Sequence, residues 1–410
     1  MKVAYILTTF PSDTELFVRR EIDFLAALGW RVAVLAARGA PGALGAGTGI
    51  EVVYRPSLAS VQALTAIARF LRGYPLSLVR FPLLVLAVLR YCPAEALRLL
   101  ANVHTIAHFA LFLDGEDLQH VHACFLSWPA CIALALSRLT GRRLSIAAHA
   151  RDIFVEPGAV AEKVEAASFV AVCTDQGLRR LRELVPPRHH SKIHLHRHGV
   201  NTRDVVAEGL DVSGPCDRAA EPPTVAAIGR LVPKKGYGHL MLAAASLKKQ
   251  GVRCRVRLVG DGPERPRLEQ VRRELGLEDT AEIEGALAHA DAMRLLKTAD
   301  VLAVPSLIAP DGDRDGIPNV ILEAFALGVP VIATRLDGIM EAVEHLQTGL
   351  LVDPGDAESL AGGIRRLIED RPLRESLAAN ARLLVEADFS LAANVPEMAR
   401  LFERAQEQPC

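Results

Sequence analysis

Two hydrophobic periods alternate along this chain. Short apolar or alternating runs at residues 3–8, 31–36, 50–54, 120–125, 144–148, 168–172 and 192–196 have the length and side-chain character of strands, and helically spaced stretches separate most of them. Val18, Ile22, Leu25 and Leu28 recur at three- and four-residue intervals and predict the helix after the first strand. The series stops at residues 201–223, NTRDVVAEGLDVSGPCDRAAEPP, a polar stretch with Gly and Pro that has the character of a linker. It then resumes, with strands expected at residues 224–228, 253–259, 281–284, 301–305, 329–333 and 349–352 and a helical pattern over 358–406. The expectation is an α/β protein with two facing Rossmann-like doubly wound domains, residues 1–200 and 224–385, followed by a C-terminal helical segment at 386–410. Ligands of such sheets bind beyond the carboxyl ends of the strands, which puts the active site in a cleft between the domains.

Bulk properties narrow the function. The 410 residues are 50% hydrophobic, enough for sizeable cores, and the formal charge of -1 gives no basic footprint for nucleic acid. Seven scattered cysteines form no C-x-x-C pair, and the opening MKVAYILTTF lacks the cleavage pattern of a secretory signal. A cytoplasmic location is expected. No uninterrupted apolar run reaches the ~20 residues that span a bilayer. Residues 59–113 are nevertheless rich in Leu, Val and Arg. Buried helices added to the first domain are the favoured reading; the rival, compatible with it, is a patch offering Arg69, Arg72, Arg80, Arg90 and Arg98 to the inner face of the plasma membrane. The glycine-rich residues 39–49 are a loop with no Lys-Ser/Thr after them, hence no phosphate loop.

The chemistry concentrates in the second half. Asp315-Gly-Ile-Pro-Asn-Val-Ile-Leu-Glu323 runs into an apolar helix pattern. Pro318 suits a first helical turn, and Gly316 lets backbone approach a ligand, so amides at a positive helix end would face a diphosphate. Asp315 and Glu323 flank that turn with carboxylates, which accept hydrogen bonds from sugar and ribose hydroxyls. Gly229 and Arg230 follow the strand TVAAI, with Lys235 and Gly236 just beyond. Two cations there would stabilise the charge gathering on a leaving nucleoside diphosphate, although a solvated charge cluster is the plain alternative. Gly260 in Val259-Gly-Asp-Gly-Pro263 again puts a glycine at a strand end, as an ordinary turn also would. His149 follows the strand LSIAA and could reach a sugar hydroxyl from the cleft, or be structural. Two signals are discounted. The D-x-D spacing of Asp311, Asp313 and Asp315 reads as a polar loop before a metal site, and the histidines at 189, 190, 194, 196 and 198 read as a strand that leads into the linker.

In order and within one domain, GRLVPKKG, VGDGP and DGIPNVILEA resemble the retaining glycosyltransferases of family four, which have the GT-B fold. The likeness extends through FPSDTELFVRREI, His122, HARDIF at His149 and HGVN at 198–201, and the first and third of these resemble exopolysaccharide and colanic-acid-type transferases. The resemblance implies that Arg230 and Lys235 bind the donor diphosphate and that Asp315 meets donor-sugar hydroxyls. It gives the backbone of Gly316, Ile317, Pro318 and Asn319 to phosphates and sugar and Glu323 to the ribose, beside Gly229 and Gly260, whose places at strand ends themselves suit close backbone approach to the donor. His149 would meet the sugar near the reacting face, while Ser12, Glu15 and His122 would lie on the acceptor side. It further implies a final helix that can cross back to the first domain, no metal or cofactor, and front-face substitution. The expected partners are a UDP- or GDP-hexose and a glycan or lipid-linked saccharide. Asp315 stands where the family usually has Glu, and Ser12-Asp13-Thr14-Glu15 where it commonly has a Gly-Gly loop. The competing readings are a non-catalytic sugar-nucleotide-binding subunit of a polysaccharide assembly complex and a sugar-nucleotide epimerase on the same fold.

Overall fold

A computed structural model describes residues 1–12, 15–39, 50–201 and 222–407. The glycine-rich stretch and the linker lie almost wholly outside these, as do Asp13 and Thr14. The chain divides into two compact units, one of residues 1–197 with 394–410 and one of residues 198–393.

The first unit is built on seven strands, β1 (Lys2–Thr9), β2 (Arg31–Arg38), β3 (Glu51–Tyr54), β4 (His120–Ala123), β5 (Arg143–Ala148), β6 (Phe169–Val172) and β7 (Ile193–Leu195). They pair in parallel in the order β3-β2-β1-β4-β5-β6-β7. Interior strands of such a sheet are covered on both faces, so they read as continuous apolar runs; β1 keeps Val3 to Leu7 fully buried. The helices are α1 (Leu16–Ala27), α2 (Val61–Gly73), α3 (Ser77–Leu89), α4 (Pro93–Ala101), α5 (Val103–Gly115), α6 (Trp128–Thr140), α7 (Ala150–Phe154), α8 (Val160–Ala166) and α9 (Asp175–Leu184). Ser60 starts α2 by accepting from the Ala63 N–H, and Gly141 ends α6 in the left-handed region that a side chain would oppose. Between α4 and α8, Lys163 is buried with Glu95 at 3.3 Å and donates to the Gly158 carbonyl at 2.9 Å, which ties the inserted α4 to the core.

The second unit carries six parallel strands, β8 (Thr224–Ile228), β9 (Arg255–Val259), β10 (Ala281–Gly285), β11 (Val301–Val304), β12 (Val331–Thr334) and β13 (Leu350–Val352), in the order β10-β9-β8-β11-β12-β13. Its helices are α10 (Tyr237–Lys249), α11 (Arg265–Glu274), α12 (His289–Lys297), α13 (Asn319–Leu327), α14 (Asp337–Met340), α15 (Ala357–Glu369) and α16 (Arg371–Asp388). Two apolar clusters cover the faces of the sheet, one around Phe325, Ile321 and Leu296, the other around Leu240, Leu258 and Ile364.

The expected boundary at 385/386 moves. Helix α16 runs on to Asp388, and Val200 donates to the Phe389 carbonyl at 2.8 Å, so the second unit keeps the chain to Ala393. The last helix, α17 (Leu391–Glu407), then passes into the first unit, where Phe402 packs against Tyr5, Trp30, His120 and Phe169. Among the described residues no single helix is long and apolar enough to cross a membrane.

Candidate functional site

In each sheet the strand order reverses direction once, between β1 and β4 in the first unit and between β8 and β11 in the second. Crossovers leave opposite faces at such a point, so the loops beyond the two strand ends part and leave room for a ligand.

In the second unit β8 hands over to Gly229, Arg230 and a 3-10 turn, Pro233–Lys235. Gly236 closes that turn at φ +63, and a Cβ there would fall 1.9 Å from the Pro305 carbonyl oxygen, so only glycine lets the turn sit against the end of β11. Gly260 is held as tightly: a Cβ would meet the Gly229 carbonyl oxygen at 1.9 Å. Backbone bonds from Gly229 to Val259 and from Leu231 to Asp261, both 2.9 Å, complete the apposition of these two loops. A third loop arrives from β11. Its Asp315 is buried, receives hydrogen bonds from Lys235 Nζ at 2.8 Å and Ser306 Oγ at 2.7 Å, and has Lys234 Nζ 3.6 Å away. Burial opposes ionisation of Asp315, but the Lys235 and Lys234 ammoniums outweigh it and hold the carboxyl below its usual range. Lys234 also donates to Asp313 at 3.0 Å. Two buried carboxylates, Asp313 and Asp315, therefore lie against two ammoniums, with Lys234 between them.

Helix α13 begins at Asn319 with Pro318 as its cap residue, one position later than expected, and no side chain caps its first turn. The segment leading into it is held close to α14, where a Cβ on Gly338 would lie 2.8 Å from Gly316 Cα. Glu323, one turn on, is buried and lies 3.0 Å from His289 Nε2. Arg230 is exposed at the end of β8. Thus Gly229, Arg230, Lys235, Gly260, Asp315, Gly316, Ile317, Pro318, Asn319 and Glu323 all sit on loops or first turns beyond the strand ends of one sheet, around the switch point. The arrangement offers amides and ammoniums to a polyanion and carboxylates to hydroxyls.

In the first unit the Glu15 N–H donates to the Ser12 carbonyl at 3.2 Å, in the loop between β1 and α1. His149 follows β5 and caps α7: Asp152 Oδ2 accepts from its backbone N–H at 3.2 Å, and its ring packs on Phe125 at 4.5 Å and Phe17 at 5.4 Å. Phe17, in the first turn of α1, thereby puts His149 beside the start of that helix.

The acceptor-side expectation for His122 is corrected. This residue is 1% exposed inside β4, its Nδ1 is 2.8 Å from Ser145 Oγ, and Tyr5, Phe169 and Phe402 surround its ring. Burial pushes it down to about 4, while Glu21 pulls up and His196 and His149 push down. It is a neutral core histidine. The histidines of 189–198 also disperse: His189 and His190 are in a 3-10 turn, and His196 faces Glu21 at 3.4 Å.

Sequence reasoning passed over Lys234, Ser306 and His289. Lys234 adjoins Lys235 and Ser306 closes the loop after β11, so their position was a usable signal; nothing local linked His289 to Glu323.

Residues 217–384 match the family described as Glycosyl transferases group 1. Over 200 residues the chain is 34% identical to WcaL of Salmonella typhimurium, provisionally named a colanic acid biosynthesis glycosyltransferase, covering 48% of this chain and 49% of the relative. It is 33% identical over 188 residues to the amylovoran biosynthesis glycosyltransferase AmsK of Erwinia amylovora, covering 46% of each. The chain thus spans about half the length of these relatives. The structure of Anabaena Alr3699/HepE in complex with UDP and glucose matches 98% of this chain and 100% of its own, at 20% identity and a TM-score of 0.70, a likeness of fold. Residues 217–384 are a domain of the glycosyl transferases group 1 family, in a chain with the two-domain GT-B fold of glycosyltransferases.

Proposed function

We propose that this protein moves a hexose from a nucleoside-diphosphate sugar to a glycan or lipid-linked saccharide in exopolysaccharide biosynthesis, with retention and without a metal. The observation that supports it most is the pairing of Lys235 and Lys234 with Asp315 at the switch point of a glycosyl transferases group 1 domain. In that reading the ammoniums exchange part of their pairing for the diphosphate as donor enters. Asp315, freed on one side, accepts from the sugar hydroxyls. The amides at the start of α13 take the remaining phosphate charge, and Glu323, positioned by His289, accepts from the ribose. As the glycosidic bond breaks, charge builds on the leaving phosphate. Arg230 and Lys235 then act more strongly on the transition state than on the ground state, and the leaving phosphate can take the proton of the incoming hydroxyl on the same face. His149 approaches the sugar from the first unit in this scheme, and a cytoplasmic site would give it donor.

The match to a fold solved with UDP and glucose makes UDP-glucose the first donor to try. Calorimetric titration with UDP, GDP and ADP, alongside Arg230→Ala and Glu323→Ala, is expected to show one preferred nucleotide whose binding weakens in both variants. Transfer assays with the matching hexose donors, in EDTA, should then give a product that keeps the donor's anomeric configuration by NMR. Folded protein that binds none of the three nucleotides would end the proposal, and an inverted product would end its mechanism.

A further inference from the structure

Helices α2 and α3 meet at a sharp corner, their axes 106° apart, on the outside of the first unit. On α3 the residues Ser77, Val85 and Val88 are buried and Phe81 and Leu84 half-buried, which uses up its inward face. A helix on a water-facing surface would carry polar residues on the other side. Here Val79, Leu83, Leu86 and Arg90 form that outer stripe at i, i+4, i+7 and i+11, with Val79 62%, Leu83 59% and Leu86 61% exposed. Leu64 on α2, Leu76 at the corner and Leu97 on α4 are exposed as well. An apolar face of this extent marks a contact surface.

Charge identifies what it contacts. Residues 52–113 contain six arginines, no lysine and one carboxylate, Glu95, which is buried against Lys163 and Arg98. Arg69, Arg72, Arg80 and Arg90 are all exposed among the outward leucines. Two copies of this face would set arginines against arginines, whereas leucines interspersed with arginines match acyl chains beneath anionic headgroups. The α4 end is fastened to the core through the Lys163–Glu95 pair, so the face is presented on a fixed scaffold. We infer that the outer face of α2, α3 and the start of α4 docks on an anionic lipid bilayer, lying in its interface without crossing it. This surface needs neither donor nor acceptor, so it stands apart from the proposed transfer reaction.

The test uses the full chain and vesicles of phosphatidylcholine alone or mixed equally with phosphatidylglycerol, read by co-sedimentation. Binding is expected to the mixed vesicles, much less to the neutral ones, and to weaken as salt screens the arginines. Arg80→Gln with Arg90→Gln should lower affinity for the mixed vesicles about thirtyfold, at roughly fivefold per charge. Leu83→Ser with Leu86→Ser should abolish pelleting at low salt while the melting temperature and, by chromatography, the oligomeric state stay those of the parent. Parent protein that remains in solution with mixed vesicles would overturn the inference. So would a leucine variant that still binds as well as the parent, or a lipid-free dimer that the leucine variant dissolves into monomers.

Discussion

Replacing Lys235 by Ala separates two jobs that meet in one contact. Lys235 Nζ donates to Asp315 Oδ2 at 2.8 Å, and both side chains are largely buried. Removing one member of a buried pair costs about 3–5 kcal/mol, because the other charge is left uncompensated. Lys234 at 3.6 Å and Ser306 at 2.7 Å still attend Asp315, so the lower end, about 3 kcal/mol, is expected in denaturant unfolding. A separate loss of about 3 kcal/mol, a hundredfold or more in turnover, follows if Lys235 stabilises the leaving diphosphate. Adding Asp315→Asn distinguishes the two, since an amide needs no counter-charge. The double variant should regain most of the stability and none of the affinity for the nucleoside diphosphate, measured by calorimetry. Recovery of both in the double variant, or near-normal turnover in Lys235→Ala, would show that Lys235 serves only to neutralise Asp315 and would refute its role on the donor.

Two further outcomes follow from the geometry. Gly236→Ala should destabilise by at least about 1–2 kcal/mol from its left-handed backbone alone, and by more from the clash with Pro305, while Gly276→Ala, at φ +62 with nothing within 4 Å, should show only the backbone cost; equal melting temperatures for the two variants would contradict the close approach. His122 is neutral in both states above its ordinary value near 6.5, and between there and about 4 the unfolded chain binds the proton that the folded chain refuses, so stability falls as pH drops through that window. At pH 5 that amounts to roughly 2 kcal/mol for this one histidine, so urea unfolding of His122→Asn should lose less than the parent between pH 7 and pH 5, and an unchanged difference would rule the histidine out as its source.

The strands were legible because interior strands of parallel sheets are short apolar runs and a half-covered edge strand such as β10, AEIEG, alternates; the thirteen strands among the described residues lie where such patterns occur. The glycines at 229 and 260 were legible as positions of close approach, and the structure shows what comes near: a Cβ would meet the Tyr237 hydroxyl at 2.8 Å at the first and the Gly229 carbonyl oxygen at 1.9 Å at the second. What was not legible depends on contacts distant in sequence. Burial on both faces of β4 gives no sign of which way a histidine points, so His122 looked as available as His149. The pairing of Lys235 with Asp315 spans eighty residues, and only the folded loops show that the two expected site residues hold each other. The final boundary failed for a similar reason: the period of α16 and α17 does not say which sheet each covers.

The passage of α17 into the first unit has a consequence for the order of folding. During synthesis from the N-terminus, all seven strands of the first sheet are complete by Leu195, but the ring that Tyr5, Trp30, His120 and Phe169 surround belongs to Phe402. At ~5–20 residues per second, those two hundred or so intervening residues take on the order of ten to forty seconds to add. The unit made first therefore waits with part of its core uncovered, while the second unit has its whole sequence available by Ala393.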